Sequence, residues 1–148
     1  MVKKTLSFAI LAILALGCLD EPDCFQLNND LVGILFRKLE TGTADTVEIA
    51  QLRSVDPALL FATDTAISRV HLPLNYFGNE ITYVFQDSEG EHFLHLTYLS
   101  QVQFVSDECG QRFVVTNLRV QDHSFDSVRL ISNVPTKNAS GIQIEIYR

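Results

Sequence analysis

Residues 142–147 read IQIEIY and show the clearest alternation of apolar and polar side chains in the chain. Three isoleucines alternate with a glutamine, a glutamate and a tyrosine, so every second side chain is apolar. A period of two is typical of a β-strand that turns one face to a core and the other to solvent. The stretch therefore predicts a strand with its isoleucines buried and with Gln143 and Glu145 on the opposite, polar face.

The same alternation recurs in seven earlier segments. Their apolar members are Val32, Ile34 and Phe36; Val47 and Ile49; Ile81, Tyr83 and Phe85; Leu94, Leu96 and Tyr98; Val102 and Phe104; Val114, Leu118 and Val120; Val128 and Leu130. Turn-forming residues separate several of them, at 40–43, 87–90, 107–110 and 138–141. About eight short strands and no convincing helix predict an all-β fold, an antiparallel β-sandwich, with a closed β-barrel as the alternative. Residues 54–79, which contain Pro57 and Pro73, receive no firm assignment.

The N-terminal residues have the pattern of an export signal. Lys3 and Lys4 precede an apolar run at 6–16, which is shorter than the roughly twenty residues of a membrane helix. Residues 15–18 read ALGC and resemble a bacterial lipoprotein box, which implies that Cys18 is acylated, for example with palmitate, and becomes the first mature residue. We therefore expect a cleaved signal peptide at 1–17, a lipidated tether at 18–29 and one β domain at 30–148.

The charge of the chain limits its partners. It carries 11 Lys and Arg against 18 Asp and Glu, a net charge of −7, and cleavage after Gly17 would remove two of the lysines. An acidic domain repels phosphate backbones, so we expect no nucleic-acid partner. It also repels anionic lipid surfaces, so membrane attachment must come from the lipid on Cys18. These features predict a lipid-anchored protein of the cell envelope, on the outer membrane.

The chain contains three cysteines, Cys18, Cys24 and Cys109. If Cys18 carries lipid, the other two form an even pair in an oxidising compartment, which favours a disulfide between Cys24 and Cys109. In the chain-entropy model a bridge across so long a loop stabilises the fold by on the order of 4 kcal/mol. The alternative is two unpaired thiols that behave as small apolar side chains.

Two candidate surface sites stand out. Asn75, Tyr76, Phe77 and Asn79 place two aromatic rings in an expected loop, where binding residues are often found. The alternative is that these rings close the open end of the sandwich. Separately, residues 64–66 resemble a short bacterial O-glycosylation signal, which implies modification of Thr65 in an expected loop.

Catalytic and metal-binding patterns are weak. His123, Ser124 and Asp126 are close in sequence, but a triad needs three groups converging from different elements, and neighbours on an extended segment point to alternate faces. A structural loop is therefore favoured there. His92 and His95 are three residues apart, which places them on opposite faces of a strand. We expect no catalytic residues, no metal and no cofactor.

Several strings resemble an uncharacterised family of small lipoproteins from Bacteroidetes-type bacteria. They lie at 72–75, at 104–106 with 109–110, at 123–128 and at 144–147. The resemblance implies an exported, lipid-anchored β domain whose pattern includes paired Cys24 and Cys109, and it brings no known activity. The expected function is therefore a binding or assembly module for an envelope protein or glycan, without catalysis. The alternatives are an envelope hydrolase and a carrier of a small apolar ligand.

Overall fold

The computed structural model describes residues 30–107, 109–137 and 139–148. Within these residues it contains nine strands. They are β1 (Leu31–Arg37), β2 (Val47–Ser54), β3 (Leu60–Ile67), β4 (Arg69–Pro73), β5 (Glu80–Gln86), β6 (Glu91–Ser106), β7 (Gly110–His123), β8 (Ser127–Leu130) and β9 (Ile144–Tyr147). The signal peptide, the tether, Cys18 and Cys24 lie outside the described residues. No helix in the described part of the chain is long and apolar enough to cross a membrane.

The strands form two open sheets. One has the order β4-β1-β9-β8 and the other the order β3-β2-β5-β6-β7. The apolar faces of both sheets contribute to one core. The predicted sandwich is confirmed, and the closed-barrel alternative is wrong because the strands divide into two separate sheets.

The last strand lies in the centre of its sheet. β9 runs parallel to β1, with Ile34 opposite Ile144, and antiparallel to β8. The prediction for its polar side chains is wrong, because Gln143 and Glu145 are buried, at 5% and 6% exposure. Both are satisfied there: Gln143 Oε1 accepts the Gly33 N–H at 2.8 Å, and Glu145 pairs with an arginine of β1. Burial of these polar groups is possible because each one has a partner.

Gly33 is required by a close approach of backbone. A Cβ atom at this position would lie 2.0 Å from the carbonyl oxygen of Gly141, which belongs to the segment before β9. The same oxygen lies 3.0 Å from Nε2 of His71 on β4. The glycine in β1 therefore lets the loop before β9 pack directly onto the first sheet.

Aromatic rings fill the space between the sheets. Phe36 of β1, Phe85 of β5 and Phe125 of the β7–β8 loop form three edge-to-face pairs with ring centroids 5.6 to 6.3 Å apart. Such pairs add to the stabilisation from burial alone. Phe125 is 7% exposed, so the loop that carries it is part of the core.

Several predicted strands have different limits in the structure. The unassigned residues 54–79 supply β3 and β4, and the segments at 94–98 and 102–104 are one continuous strand, β6. In β7 the buried residues are Val115 and Leu118, so the prediction that Val114 shares the apolar face with Leu118 is wrong. The reason is a bulge between them, where Asn117 has a positive φ of 57° and shifts the alternation by one residue.

The hairpin of β6 and β7 extends beyond the rest of its sheet. The pairing of β5 with β6 ends at Thr97, opposite Glu80. Beyond that point β6 pairs only with β7 among the described residues. We call residues 99–106 and 110–116 the distal ribbon.

Candidate functional site

An apolar groove lies at the end of the sandwich from which the distal ribbon projects. One wall is the loop at 74–79 between β4 and β5, here named the Phe77 loop, and the other is the turn at 55–59 between β2 and β3. The groove has a volume of about 230 Å³. Its lining includes Pro57, Leu59, Leu74, Tyr76, Phe77 and Ile81.

Side chains of β6 hold the backbone of the Phe77 loop. The Tyr98 hydroxyl accepts the Asn75 N–H at 3.0 Å and lies 2.9 Å from the Asn75 carbonyl oxygen, to which it donates. The Ser100 hydroxyl donates to the Tyr76 carbonyl at 2.8 Å, and the Ser100 N–H donates to Oδ1 of Asn79 at 3.1 Å. Burial raises the pKa of Tyr98 to about 12, so this hydroxyl stays protonated. The loop is therefore fixed to the sheet.

Phe77 is the residue that this fixed loop presents. Its N–H donates to Oδ1 of Asn75 at 3.0 Å, which sets the turn, while its side chain is 91% exposed. The ring forms an edge-to-face pair with Phe113 of the distal ribbon, with centroids 5.5 Å apart. Of the four predicted contact residues, Asn75 and Asn79 thus contribute hydrogen bonds that shape the loop, and Phe77 contributes the exposed ring.

Tyr76, by contrast, is half-buried and packs against the core. Its hydroxyl accepts the Asp30 N–H at 2.8 Å, and its ring stacks on Phe113 with centroids 5.7 Å apart. Burial raises the pKa of Tyr76, and the hydrogen bond from Asp30 offsets only part of that rise. The Asp30 carboxylate in turn accepts the Val115 N–H at 2.9 Å. The alternative role, closing the open end of the sandwich, therefore applies to Tyr76 but not to Phe77.

Exposed apolar side chains continue from Leu59 along the turn that forms one wall of the groove. Val55, Leu59 and Leu60 are 50%, 47% and 60% exposed. Sequence reasoning missed this wall because residues 54–79 carry no clear alternation. The available signal was the apolar run at 58–61 directly after Pro57. Exposed apolar groups gathered at one place are typical of an interaction surface.

The opposite end of the sandwich holds a polar cluster. Donor atoms of Asp87, Glu89 and His92 lie within 4.8 Å of one another. Carboxylate and imidazole groups are suitable metal ligands. However, Arg148 donates to Oδ2 of Asp87 and lies 3.4 Å from Glu89, so its guanidinium group already balances the two acids. A metal ion would have to displace Arg148.

The charge balance of this cluster depends on that arginine. Burial raises the pKa of Asp87, but the Arg148 guanidinium and the N–H groups of Glu89 and Gly90 lower it more, so the net pKa is below its ordinary value. His92 stacks on Phe125 with centroids 5.2 Å apart, and neither ring nitrogen has a hydrogen-bond partner among the described residues. Sequence reasoning compared His92 with His95 and missed Asp87, which the β5–β6 turn brings near.

Two of the three residues that resemble a catalytic triad in sequence, His123 and Ser124, contact backbone groups instead of each other. Oγ of Ser124 accepts the Phe93 N–H at 2.8 Å, and Nδ1 of His123 lies 3.1 Å from the Phe125 carbonyl oxygen. These contacts fix the loop that places Phe125 in the core. The geometry agrees with the structural interpretation of this segment.

The structure describes two of the predicted modification sites, Thr65 and Cys109. Thr65 is half-buried in β3 opposite Ile49, so its predicted loop position is wrong, because these residues pair with β2. Its glycosylation stays a prediction. Cys109 lies at the turn of the distal ribbon, where its N–H donates to Oγ of Ser106 at 3.1 Å. Its pairing with Cys24 also stays a prediction.

Residues 46–148 match the family of unknown function DUF6452. The chain belongs to this family. The match contains both walls of the groove, the whole distal ribbon and the Asp87 cluster, and it agrees with the predicted membership of an uncharacterised family. No curated protein and no solved structure matches the chain. DUF6452 is a family without a described activity.

Proposed function

We propose that this DUF6452 protein is a lipid-anchored binding module of the cell envelope that holds a partner protein in the groove beside Phe77. The observation that carries the proposal is the Phe77 side chain, which is 91% exposed although Tyr98 and Ser100 fix the loop beneath it. A rigid aromatic side chain loses little conformational entropy when a partner covers it.

The chemistry of the groove defines the partner. Its walls are apolar, and hydroxyls that could recognise a sugar, those of Tyr98 and Ser100, already bond to loop carbonyls. A bulky apolar side chain of a protein therefore fits better than a glycan. Asp56 and Glu80 are exposed next to the groove, and the whole chain is acidic. We expect basic residues to flank the inserted side chain.

The anchor and the disulfide belong to the same proposal. Acylated Cys18 would hold the domain at the outer membrane, and a bond between Cys24 and Cys109 would connect the tether to the distal ribbon. The export signal and the ALGC string support the first, and the even cysteine pair supports the second. Intact mass of the protein purified from a related host tests both. Replacement of Cys18 by serine should abolish the acyl mass and release the protein from membranes, and a wild-type protein without acyl mass would contradict the anchor.

The groove is tested by partner capture. The full chain, expressed in a related host, is cross-linked in intact cells and purified, and the captured proteins are identified. Phe77→Ala should lower recovery of the partner at least about tenfold, because a central aromatic contact contributes about 2 kcal/mol or more to binding.

Leu39→Ala is the matched control. Leu39 is 53% exposed and lies near Arg148, at the end of the sandwich away from the groove. This variant should capture the partner like the wild type, and both variants should melt within a few degrees of it. Equal capture by wild type and Phe77→Ala would contradict the groove as the binding site.

A further inference from the structure

One face of the distal ribbon is apolar and exposed. Val102 and Phe104 lie on this face and are 56% and 63% exposed, and Phe113 lies directly opposite Val102. The opposite face is mixed: Arg112 donates two hydrogen bonds to Oε1 of Gln103, and Leu99 and Val114 lie on the same face. An apolar face on a ribbon of only two strands needs a cover, because two strands alone bury little surface.

The described chain begins at the base of this same face. Asp30 donates its N–H to Tyr76, whose ring stacks on Phe113. Its carboxylate accepts the Val115 N–H, and Val115 is the buried end of the apolar face. Asp30, the first described residue, therefore lies where the apolar face starts.

Chain length matches the length of the ribbon. Cys24 precedes Asp30 by six residues, and Cys109 precedes Val115 by six residues. At about 3.3 Å per extended residue, both spans are about 20 Å. A segment that runs from Asp30 along the ribbon therefore brings Cys24 to the turn where Cys109 lies.

The composition of the segment matches the face. Residues 24–29 read CFQLNN and contain no charged side chain, whereas the four residues before them include three acids. Phe25 and Leu27 are two apart, so in an extended chain both point to one side. Val102 and Phe104 have the same spacing.

We propose that residues 24–29 lie extended along the distal ribbon and cover its apolar face with Phe25 and Leu27, which places Cys24 beside Cys109. The occupant of this face is thus a segment of the same chain. Formation of the disulfide then transfers two electrons and two protons from the two thiols to the disulfide of an exported oxidoreductase, which becomes a dithiol. The cover and the groove are separate proposals, although Phe113 of the covered face also contacts Tyr76 and Phe77 of the groove wall.

Hydrogen exchange of the mature, lipidated protein in detergent tests the cover. The double variant Phe25→Ser/Leu27→Ser should speed exchange in peptides from 99–106 and 110–116 at least about tenfold, because the ribbon loses its cover. Peptides from β5 should exchange as in the wild type. The matched control Gln26→Ser/Asn28→Ser changes the neighbouring positions and should leave the ribbon protected.

Two results would overturn the proposal. One is equal exchange in the ribbon of the wild type and of both double variants. The other is protection that depends on protein concentration and not on Phe25 and Leu27, which would show that a second copy covers the face. Peptide mapping without reductant is an independent test. We expect a peptide in which Cys24 and Cys109 are linked. Recovery of both cysteines as thiols would place Cys24 away from the turn. If the proposed binding site in the groove were wrong, the Phe77→Ala variant would capture the partner as the wild type does, and hydrogen exchange in the ribbon would not change.

Discussion

The hairpin of β6 and β7 passes through two different surroundings. In the body of the sandwich β6 pairs with β5 and β7, and Leu94 and Leu96 are fully buried. In the distal ribbon the same alternation continues with Val102 and Phe104, yet both are more than half exposed. Alternation therefore determines which face of a strand is apolar, while the neighbouring elements determine what covers that face.

The largest effect should come from the body. Leu96→Ala removes a fully buried side chain from between the sheets and should lower the free energy of unfolding by about 3 kcal/mol. Urea denaturation measures the change. Leu99→Ala, three residues along the same strand but 41% exposed, is the control and should cost less than about 1 kcal/mol. Equal losses for the two variants would remove the distinction between body and ribbon.

A buried polar contact in the body should rank second. Glu145 pairs with Arg37 at 2.6 Å and with Arg129 at 3.4 Å, and Tyr147 donates to it at 3.0 Å. Glu145→Gln leaves the Arg37 charge without its counter-ion and should cost about 2 kcal/mol near neutral pH, less than for a fully buried pair because Arg37 is partly exposed.

The cost of Glu145→Gln should depend on pH. Burial raises the pKa of Glu145, but hydrogen bonds from Arg37 and Tyr147 and the arginine charges lower it more, so the net pKa is below its ordinary value. The stabilisation is therefore fully present above the unfolded pKa of about 4.3 and is lost as pH falls through the lower folded value. The difference between wild type and variant should shrink below about pH 4, and a difference constant down to pH 2 would contradict this account.

The junction between body and ribbon should give an intermediate effect. Tyr98→Phe removes the hydroxyl that bonds to both backbone groups of Asn75 and should cost about 1 kcal/mol. Because the pKa of Tyr98 is raised to about 12, its contribution is full below about pH 10 and is lost as pH rises from there to about 12. Unfolding at several alkaline pH values should show a shallower decline for Tyr98→Phe than for the wild type. Parallel curves would mean that this hydroxyl does not titrate with unfolding.

The smallest effect should come from the exposed pair of Gln103 and Arg112 on the ribbon. Gln103→Ala removes the two hydrogen bonds from Arg112, which are exposed to water, and should change the free energy of unfolding by less than about 0.5 kcal/mol. Thermal melting of Gln103→Ala and of Glu145→Gln, measured in parallel, compares the loss of an exposed arginine contact with the loss of a buried one. A loss above about 1 kcal/mol would show that the face carrying this pair is also covered.

The sequence predicted the fold wherever alternation was unbroken. Val32, Ile34 and Phe36 are all fully buried, as their spacing required. The prediction failed where one extra residue shifted the alternation of apolar and polar positions: because of the bulge at Asn117, Val115 is buried in place of Val114. It also failed for β3, which lies at the edge of its sheet and is mostly half-buried or exposed, so its pattern of apolar residues is weak.

The candidate site was predictable in part. Two adjacent aromatic residues in a turn-rich stretch located the Phe77 loop, but not which ring would point outward, because that depends on hydrogen bonds from β6 to residues more than twenty positions earlier. The buried Glu145 could not be foreseen for a related reason. Its strand alternates as an exposed one would, and only the central place of β9 in the sheet and the arginine on β1 explain its burial.

The central place of β9 also determines when the first sheet can be completed. Residues 144–147 lie between β1 and β8, so β1, made early, has to wait for a strand that is synthesised after the other eight described strands. The second sheet, by contrast, is built from strands that are contiguous in the order β5, β6 and β7 and can form earlier. The first sheet of the described fold therefore stays open until β9 has been made.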